Sequence, residues 1–373
     1  MRSMRLGLVS SMALVLSASL VAACGGDDSS GGGAATTTST GSGGGSAAVP
    51  CDGAPAQLSL GGVWAAYGKL SVDLQGVPGG AITLCPADQT GEATILMFVA
   101  MEADAGDPAK IGKIHAALCS LELPVVTALV GDCKPDAKNL VATQIIAPDT
   151  LIEALPKVPT TDASATLDGT APGAGVVIDG LTVTVGSTAS GAAMPKWSAD
   201  DVACGDDTLG RGKTCDATCV SDCGSLRDDD ADGYPGVTVH VCGYTPDEQS
   251  SQAKCDPANP GDGVPSVEGL GYLDIEVAPK LTGTAKSSCE LEGTVATPIL
   301  YNVVGADVFL GPGPISVTSA IKSLPLFSVD PVASRFRMVR FDGQFGAPDL
   351  SVDAAAVPAA CKAIVTNVNQ IFE

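Results

Sequence analysis

The sequence predicts a mainly β protein, a disulfide-stapled sandwich or barrel with a few short helices. Three observations carry this prediction. Apolar or alternating runs of strand length recur along the chain, 45 glycines and 25 prolines punctuate them, and 13 cysteines are spread over the 373 residues. Short runs with a period of two, bounded by turn residues, are typical of strands in a sandwich or barrel.

The strands are expected in chain order as follows. Ala93–Met101 reads ATILMFVAM, a near-continuous apolar run that predicts a strand buried on both faces. Val176–Gly186 alternates around Gly180, which indicates a bulge or turn in the middle of the run. Val237–Cys242 alternates valine with Thr238 and His240, which predicts a half-buried strand with the histidine pointing away from the valine face. Further strands are expected at residues 270–281, 293–310, 315–321 and 334–345.

Three short segments have helical character. Lys110–Leu118 follows Asp107 and Pro108, which suit a helix start, and Asp149–Leu155 follows Pro148 in the same way. The third is the C-terminal piece Ala359–Ile371. The frequent glycine and proline argue against longer helices.

Two domain organisations fit this pattern. One has an N-terminal β region at residues 51–200 and a C-terminal β region at 234–373, joined by a Cys/Asp-rich insert at 201–233. In the other, residues 51–373 form one unit with strands from both regions in the same sheets. Disulfides that link the two regions would favour the single unit.

The N-terminus has the layout of a secretory signal. Arg2 and Arg5 make it basic, and Leu6–Ala23 is an apolar run that ends in small residues. Residues 25–48 are almost all Gly, Ser, Thr and Ala, a composition that predicts a flexible tether.

The junction Leu20-Val21-Ala22-Ala23-Cys24 resembles the lipobox of bacterial lipoprotein precursors. The resemblance implies that residues 1–23 are a signal peptide that is removed and that Cys24 carries lipid, so that residues 24–50 connect the folded part to a membrane. Two or three acyl chains anchor a protein stably, because each buried methylene contributes about 0.8 kcal/mol. In that class an acidic residue after the cysteine signals inner-membrane retention. Residue 25 is glycine, so the expected location is the outer membrane.

The charge of the chain excludes one class of partner. Loss of residues 1–23 removes Arg2 and Arg5 from the 20 basic residues, which leaves 18 basic against 42 acidic residues and a net charge of −24. Such a surface repels phosphate backbones, so nucleic-acid binding is not expected. Anionic lipid headgroups are disfavoured for the same reason, which leaves the lipid anchor as the membrane contact.

Cysteine usage indicates an oxidising compartment. Once Cys24 is lipidated an even twelve cysteines remain, and an even number in an exported chain is read as a disulfide framework whose pairing the sequence does not give. The twelve are Cys51, Cys85, Cys119, Cys133, Cys204, Cys215, Cys219, Cys223, Cys242, Cys255, Cys289 and Cys361.

One short segment has the pattern of a metal loop. Asp228, Asp230, Asp232 and Gly233 resemble the D-x-D-x-D-G start of calcium loops, in which the next ligand is a backbone carbonyl, here that of Tyr234. Position 12 of that pattern is Val239 instead of a bidentate glutamate, so the segment is not an EF-hand. Asp222, Asp206 or Asp207 would have to complete a structural calcium site. The alternative is a solvated acidic turn, since Asp and Gly are turn formers.

No catalytic constellation accompanies these features. His115 and His240 are the only histidines and lie outside any recognised catalytic or zinc motif. Arg335, Arg337 and Arg340, with Lys322, form either an anion-binding patch or a strand face that pairs with neighbouring carboxylates.

The sequence therefore predicts a non-catalytic, outer-membrane-anchored binding or interaction module with structural calcium, whose partner is a small apolar ligand or an envelope component. The alternatives are a secreted hydrolase with a carboxylate-based site and a purely structural envelope protein.

Overall fold

The computed structural model describes most of the chain beyond residue 50. The described residues are 51–75, 83–84, 89–104, 106–123, 125–129, 140–197, 215–244, 267–310, 313–314, 326–350 and 355–372. All of them belong to one compact unit, Ser46–Glu373. The predicted lipidation site Cys24, the tether and the strand expected at 315–321 lie outside the described residues.

The fold is mainly β, as the sequence predicts. The described strands, in chain order, are β1 (Gly62–Gln75), β2 (Thr83–Leu84), β3 (Gln89–Asp104), β4 (Asp107–Glu122), β5 (Val125–Leu129), β6 (Leu140–Ile146), β7 (Ser164–Leu167), β8 (Gly175–Asp179), β9 (Val183–Val185), β10 (Val237–Tyr244), β11 (Val267–Val277), β12 (Lys280–Ser287), β13 (Glu290–Ala296), β14 (Ile299–Leu310), β15 (Gly313–Pro314), β16 (Leu326–Val329) and β17 (Arg335–Arg340). The α-helices are α1 (Asp149–Ala154), α2 (Val357–Thr366) and α3 (Val368–Phe372), and short 3-10 turns lie at Leu155–Lys157, Gly191–Ala193, Cys223–Ser225 and Gln344–Gly346.

Two antiparallel sheets take strands from both predicted β regions. The first sheet has the order β4-β3-β1-β17-β13-β12-β8-β7, with β16 paired to β1. The second has the order β15-β14-β11-β10-β6-β5-β2, with β9 paired to β11. The chain passes from the first sheet to the second between β8 and β9, at Gly180, where the positive φ of +92° allows the predicted turn.

The first sheet curls until its two ends meet. Ile114 of β4 and Ala163, just before β7, exchange backbone hydrogen bonds of 2.9 Å in both directions. Side chains of β9 and β10 in the second sheet, including Val185 and Val239, join the apolar core inside this curl. The first sheet is therefore a nearly closed barrel, and the second sheet packs on the same core.

The outer face of the barrel is buried by the C-terminal helices. Phe98 of β3 and Val339 of β17 pack there with Ile364 of α2 and Ile371 of α3. Neighbouring residues of β3, such as Val99, face the interior core instead. This double burial explains why residues 93–101 are apolar at nearly every position.

The helix expected at Lys110–Leu118 is wrong, because these residues lie in β4. Ile111, Ile114 and Leu118 are spaced as on one helical face, but Ile114 and Leu118 line the barrel interior together with Ala116. Register shifts between β3 and β4 disturb the alternation that would have marked a strand. The helices expected at 149–155 and 359–371 are confirmed, the second as α2 and α3 with a break at Asn367.

Disulfides tie the N-terminal and C-terminal parts of the unit together. Cys51 pairs with Cys289 and Cys119 with Cys361, bridges that span 238 and 242 residues of sequence. Cys215 pairs with Cys223 within the predicted insert, and Cys219 and Cys242 are also disulfide-bonded. Each of the eight predicted disulfide cysteines within the described ranges is thus oxidised. Cys85, Cys133, Cys204 and Cys255 lie outside these ranges.

No helix within the described residues is long and apolar enough to cross a bilayer.

Candidate metal centre

The acidic loop, residues 227–236, connects the 3-10 turn Cys223–Ser225 to β10 and is anchored at its start to the end of β9. The amide of Arg227 donates to the carbonyl of Gly186 at 2.9 Å. Asp229 Oδ2 accepts from the amide of Gly186 at 2.7 Å and from Arg227 Nη2 at 3.0 Å. Asp229 is therefore occupied in holding the loop to the second sheet.

The three alternate aspartates of the loop converge, as their spacing predicts. One carboxylate oxygen from each of Asp228, Asp230 and Asp232 lies within 4.8 Å of the other two. The backbone turns around these groups: Asp228 accepts hydrogen bonds from the amides of Asp232 (3.1 Å) and Gly233 (2.9 Å). Positive φ angles of +57° at Ala231 and +88° at Gly233 make this tight turn.

Asp230 is the buried member of the group, with 5% of its surface exposed. Its Oδ2 accepts from the amide of Thr238 at 3.0 Å, whereas its Oδ1 is buried without a hydrogen-bond partner. Burial, with the charges of Asp232 and Asp228, raises the pKa of this carboxyl to about 6, against the lowering effect of the Thr238 bond. A buried carboxylate oxygen without a partner is costly unless a cation or proton satisfies it.

Tyr234, the other predicted ligand, adjoins the group through its backbone. Its amide donates to Asp232 Oδ1 at 2.8 Å. Its ring stacks on Tyr272 of β11, with centroids 4.7 Å apart and the planes inclined by 12°. Burial raises the pKa of Tyr272, and Tyr234, Asp307 and Asp232 nearby raise it further. The side chain of Tyr234 therefore belongs to the packing of the second sheet.

Of the acids expected to complete the site, Asp222 is not brought to the converging group. The two carboxylate oxygens of Asp222 accept from Gly224 and Ser225 in its own turn, and Asp222 is not in the converging group. Asp206 and Asp207 lie outside the described residues. Val239 is 3% exposed in β10, which agrees with the conclusion that the loop is not an EF-hand.

Thr238 holds two of the three carboxylates, a contact that the sequence analysis missed. Besides its amide bond to Asp230, its hydroxyl donates to Asp232 Oδ2. Thr238 is the second residue of β10, so the start of this strand positions two of the three carboxylates. The signal available in the sequence was a hydroxyl residue six positions after Asp232 and two after Gly236.

The chemistry of this group suits a hard cation. Ca²⁺ takes six to eight oxygen ligands, from carboxylates, backbone carbonyls and water. Three converging carboxylates and a turn of backbone supply part of that shell.

The two histidines each lie near a carboxylate. His240 is 1% exposed, with Nε2 at 3.7 Å from Glu268 Oε1. The prediction that β10 is half-buried is wrong, since Thr238 and His240 are as buried as Val237 and Val239. This strand runs between β6 and β11 inside the second sheet, and side chains on both of its faces are covered. His115 is about half exposed and lies 3.8 Å from Asp162.

Two of the three arginines of β17, Arg337 and Arg340, are bonded within the fold. Arg337 Nε pairs with Glu290 at 2.7 Å. Arg340 is fully buried, with its guanidinium 5.1 Å from the ring of Trp64 and its Nη2 donating to the carbonyl of Gly61. Lys322 lies outside the described residues. Arg337 and Arg340 are thus used within the fold.

The barrel interior contains a small apolar cavity of about 40 Å³. Its lining includes Met97, Ile114, Ile178, Phe336 and Met338. Pockets for small organic ligands are usually about 300–1,000 Å³. This cavity therefore gives little support to the carriage of an apolar ligand in the barrel.

Comparison of the chain with protein-family models, with curated proteins and with solved structures finds no match.

Proposed function

We propose that the protein is a lipid-anchored lipoprotein of the outer membrane whose folded part is a non-catalytic interaction module stabilised by disulfides and by calcium. The observation that carries the proposal is the state of the cysteines. All eight in the described ranges are in disulfides, and two of these bridges close the barrel unit over 238 and 242 residues. Disulfides of this kind persist in extracytoplasmic compartments and are rare in the cytosol.

In this proposal the N-terminal residues determine the cellular location of the protein. Arg2, Arg5 and the apolar run to Ala23 direct export, and Cys24 is the site of lipidation. Residues 25–48 hold the module away from the lipid surface. Display in the periplasm and display on the cell surface are both compatible with this construction.

An envelope component is the favoured partner. The apolar cavity among the described residues of the barrel, about 40 Å³, is small for an organic ligand, which favours recognition on the exterior of the module. The net charge of the lipidated form, −24, argues against nucleic acid and anionic lipid headgroups. A partner with a basic or neutral surface fits this charge.

Calcium has a structural role in the proposal. Asp228, Asp230 and Asp232 converge at the entrance to β10, and one oxygen of Asp230 is buried without a hydrogen-bond partner. An ion would relieve the repulsion between three neighbouring carboxylates and fix a segment with little regular structure.

The test of the anchor is metabolic labelling with a radioactive or clickable fatty acid in a bacterial host. Wild type and Cys24→Ala are compared, with and without an inhibitor of lipoprotein signal peptidase. We expect label on the wild type, accumulation of its precursor with the inhibitor, and no label on Cys24→Ala. A wild-type protein that is exported without label would refute the lipoprotein assignment, and reduced thiols in the exported protein would refute the disulfide framework.

A further inference from the structure

The acidic loop joins three separate parts of the second sheet. Asp229 bonds to Gly186, directly after β9. Asp230 and Asp232 bond to Thr238 of β10. Tyr234 stacks on Tyr272 of β11. A change in the conformation of the loop therefore alters contacts with three strands.

The loop also continues directly from the segment that covers this part of the sheet. The cysteine-rich segment, residues 215–226, places Cys219 and Val220 with Trp197 in an apolar cluster. The sheet side of the cluster is formed by Tyr272, Val304, Ala306 and Val308. All seven of these residues are at most 8% exposed, so the segment shields a continuous apolar face.

Few backbone bonds hold the cysteine-rich segment in place. The amide of Ser221 donates to the carbonyl of Lys196 at 2.9 Å, and the amide of Thr188 donates to the carbonyl of Ser225 at 2.7 Å. Isolated bridges join Trp197 to Val220 and Ser187 to Leu226. Apart from one 3-10 turn, residues 215–226 contain no helix or strand. Cys219 is also disulfide-bonded, to a cysteine outside the segment because Cys215 and Cys223 pair with each other. The disulfide holds the middle of the segment, and the anchors at its ends hold the rest.

The acidic loop is the C-terminal anchor, and its own geometry calls for a cation. The three carboxylates lie within 4.8 Å of one another, and Asp230 Oδ1 is buried without a hydrogen-bond partner. Without a cation these groups repel one another and pay the desolvation of a charge. With a bound cation the three carboxylates become its ligands. The cation then stabilises the loop in the position described above, in contact with β9, β10 and β11.

We propose that one calcium ion, held by Asp228, Asp230 and Asp232, controls the docking of the cysteine-rich segment 215–226 over the apolar face of the second sheet. This rests on the calcium site of the proposed function and adds its consequence. An ion that binds the docked loop more tightly than the undocked loop shifts the docking equilibrium by its difference in affinity. The calcium concentration outside the cytoplasm would then determine whether segment 215–226 covers Tyr272 and Trp197.

The experiment uses the purified full-length protein in detergent and measures two quantities. Calorimetry measures calcium binding, and hydrogen exchange followed by mass spectrometry measures opening of residues 187–197 and 215–226. We expect one calcium per chain, with affinity in the range of about 0.1–1 mM that is typical of extracellular modules. Chelation should speed exchange in both segments about tenfold or more, as expected when about 1.4 kcal/mol of docking free energy is lost. The core strand β3 should not change.

Variants separate the two levels of the proposal. Asp230→Asn should abolish calcium binding, so its exchange in the two segments should be the same with calcium and with chelator, and Asp228→Asn at the exposed ligand serves if Asp230→Asn does not fold. Asp149→Asn, an exposed acid at the start of α1, is the charge-matched control and should behave as wild type. Absence of calcium binding to the wild type would overturn both the calcium site and the docking proposal. Binding without any change in exchange at 187–197 and 215–226 would overturn the docking proposal alone.

Discussion

The amide of Thr238 donates to Asp230 Oδ2 at 3.0 Å, so the second residue of strand β10 fixes the orientation of the most buried carboxylate in the acidic loop. The hydroxyl of the same threonine holds Asp232. Two carboxylates of the loop are thus positioned by a strand that lies in the middle of the second sheet, between β6 and β11. Pre-positioned ligands need less ordering when an ion binds, which favours affinity.

Removal of the Thr238 hydroxyl should weaken calcium binding without removing a ligand. Thr238→Val keeps the backbone bond to Asp230 and the size of the side chain, but Asp232 loses its donor. A lost bond to a charged group is worth about 1.5–3 kcal/mol, so we expect calcium affinity to fall roughly tenfold or more. Calorimetry measures the change. Thr294→Val, which removes a hydroxyl bond to the carbonyl of Thr282 far from the loop, is the control, and equal affinity in the two variants would contradict the role of Thr238.

Asp230→Asn should be at least as stable to heat as the wild type without calcium and less stable than the wild type with calcium. With chelator, the variant removes a buried charge that has one unpartnered oxygen, so it should melt at or above the wild type. With calcium at about 100 times its dissociation constant, the wild type should gain about 2.7 kcal/mol by mass action and the variant nothing. Differential scanning calorimetry in both buffers measures the melting temperatures of the two proteins and shows whether their order changes. Asp229→Asn, in the same loop but outside the converging group, should keep a calcium-dependent gain.

The sequence anticipated those parts of the structure that local pattern controls. The run at Ala93–Met101 is apolar because β3 is buried on both faces, and the aspartates at 228, 230 and 232 converge because alternate residues of a tight turn point inward. Pro148 marked the start of α1 correctly.

The features that the sequence did not anticipate depend on distant contacts. Lys110–Leu118 became a strand because pairing with β3 outweighs a helix-like spacing of isoleucine and leucine. The role of Thr238 depends on where β10 begins relative to the loop, and spacing alone does not give that. The pairing of Cys119 with Cys361 requires the C-terminal helix to lie on β4, a contact across 242 residues.

Asp274 should make the stability of the protein depend on pH. This residue of β11 is fully buried, and burial raises its pKa to about 6 although Asn302 donates two hydrogen bonds to Oδ1. A raised carboxyl pKa favours folding when the group is protonated, so its contribution is complete below its unfolded value of 3.8 and is lost as pH rises through about 6.

The expected size of this effect follows from linkage. Between about pH 4.5 and about pH 7.5, ionisation of Asp274 should cost about 2 kcal/mol of unfolding free energy, and Asp274→Asn should gain that amount relative to wild type across the same window. Urea unfolding at the two pH values, with calcium held constant, measures the difference. Asp216→Asn is the control: hydrogen bonds from Thr218 lower the pKa of exposed Asp216, so this variant should show no gain as pH rises. A wild type and an Asp274→Asn variant with parallel pH profiles would contradict the prediction.

The long-range disulfides should contribute more stability than the short one in the cysteine-rich segment. Cys119–Cys361 closes a loop of 242 residues and Cys215–Cys223 one of 8 residues. In the chain-entropy description the constraint on the unfolded state grows with the logarithm of loop length, which gives about 5.5 kcal/mol for the first bridge and about 2.5 kcal/mol for the second. Replacement of each pair by alanine, followed by guanidinium unfolding, compares them directly. The Cys119→Ala/Cys361→Ala variant should lose the larger amount and free α2 from β4, which hydrogen exchange in residues 357–366 would detect. Equal losses in the two double variants would mean that the bridges act mainly through native-state packing instead of through the unfolded chain.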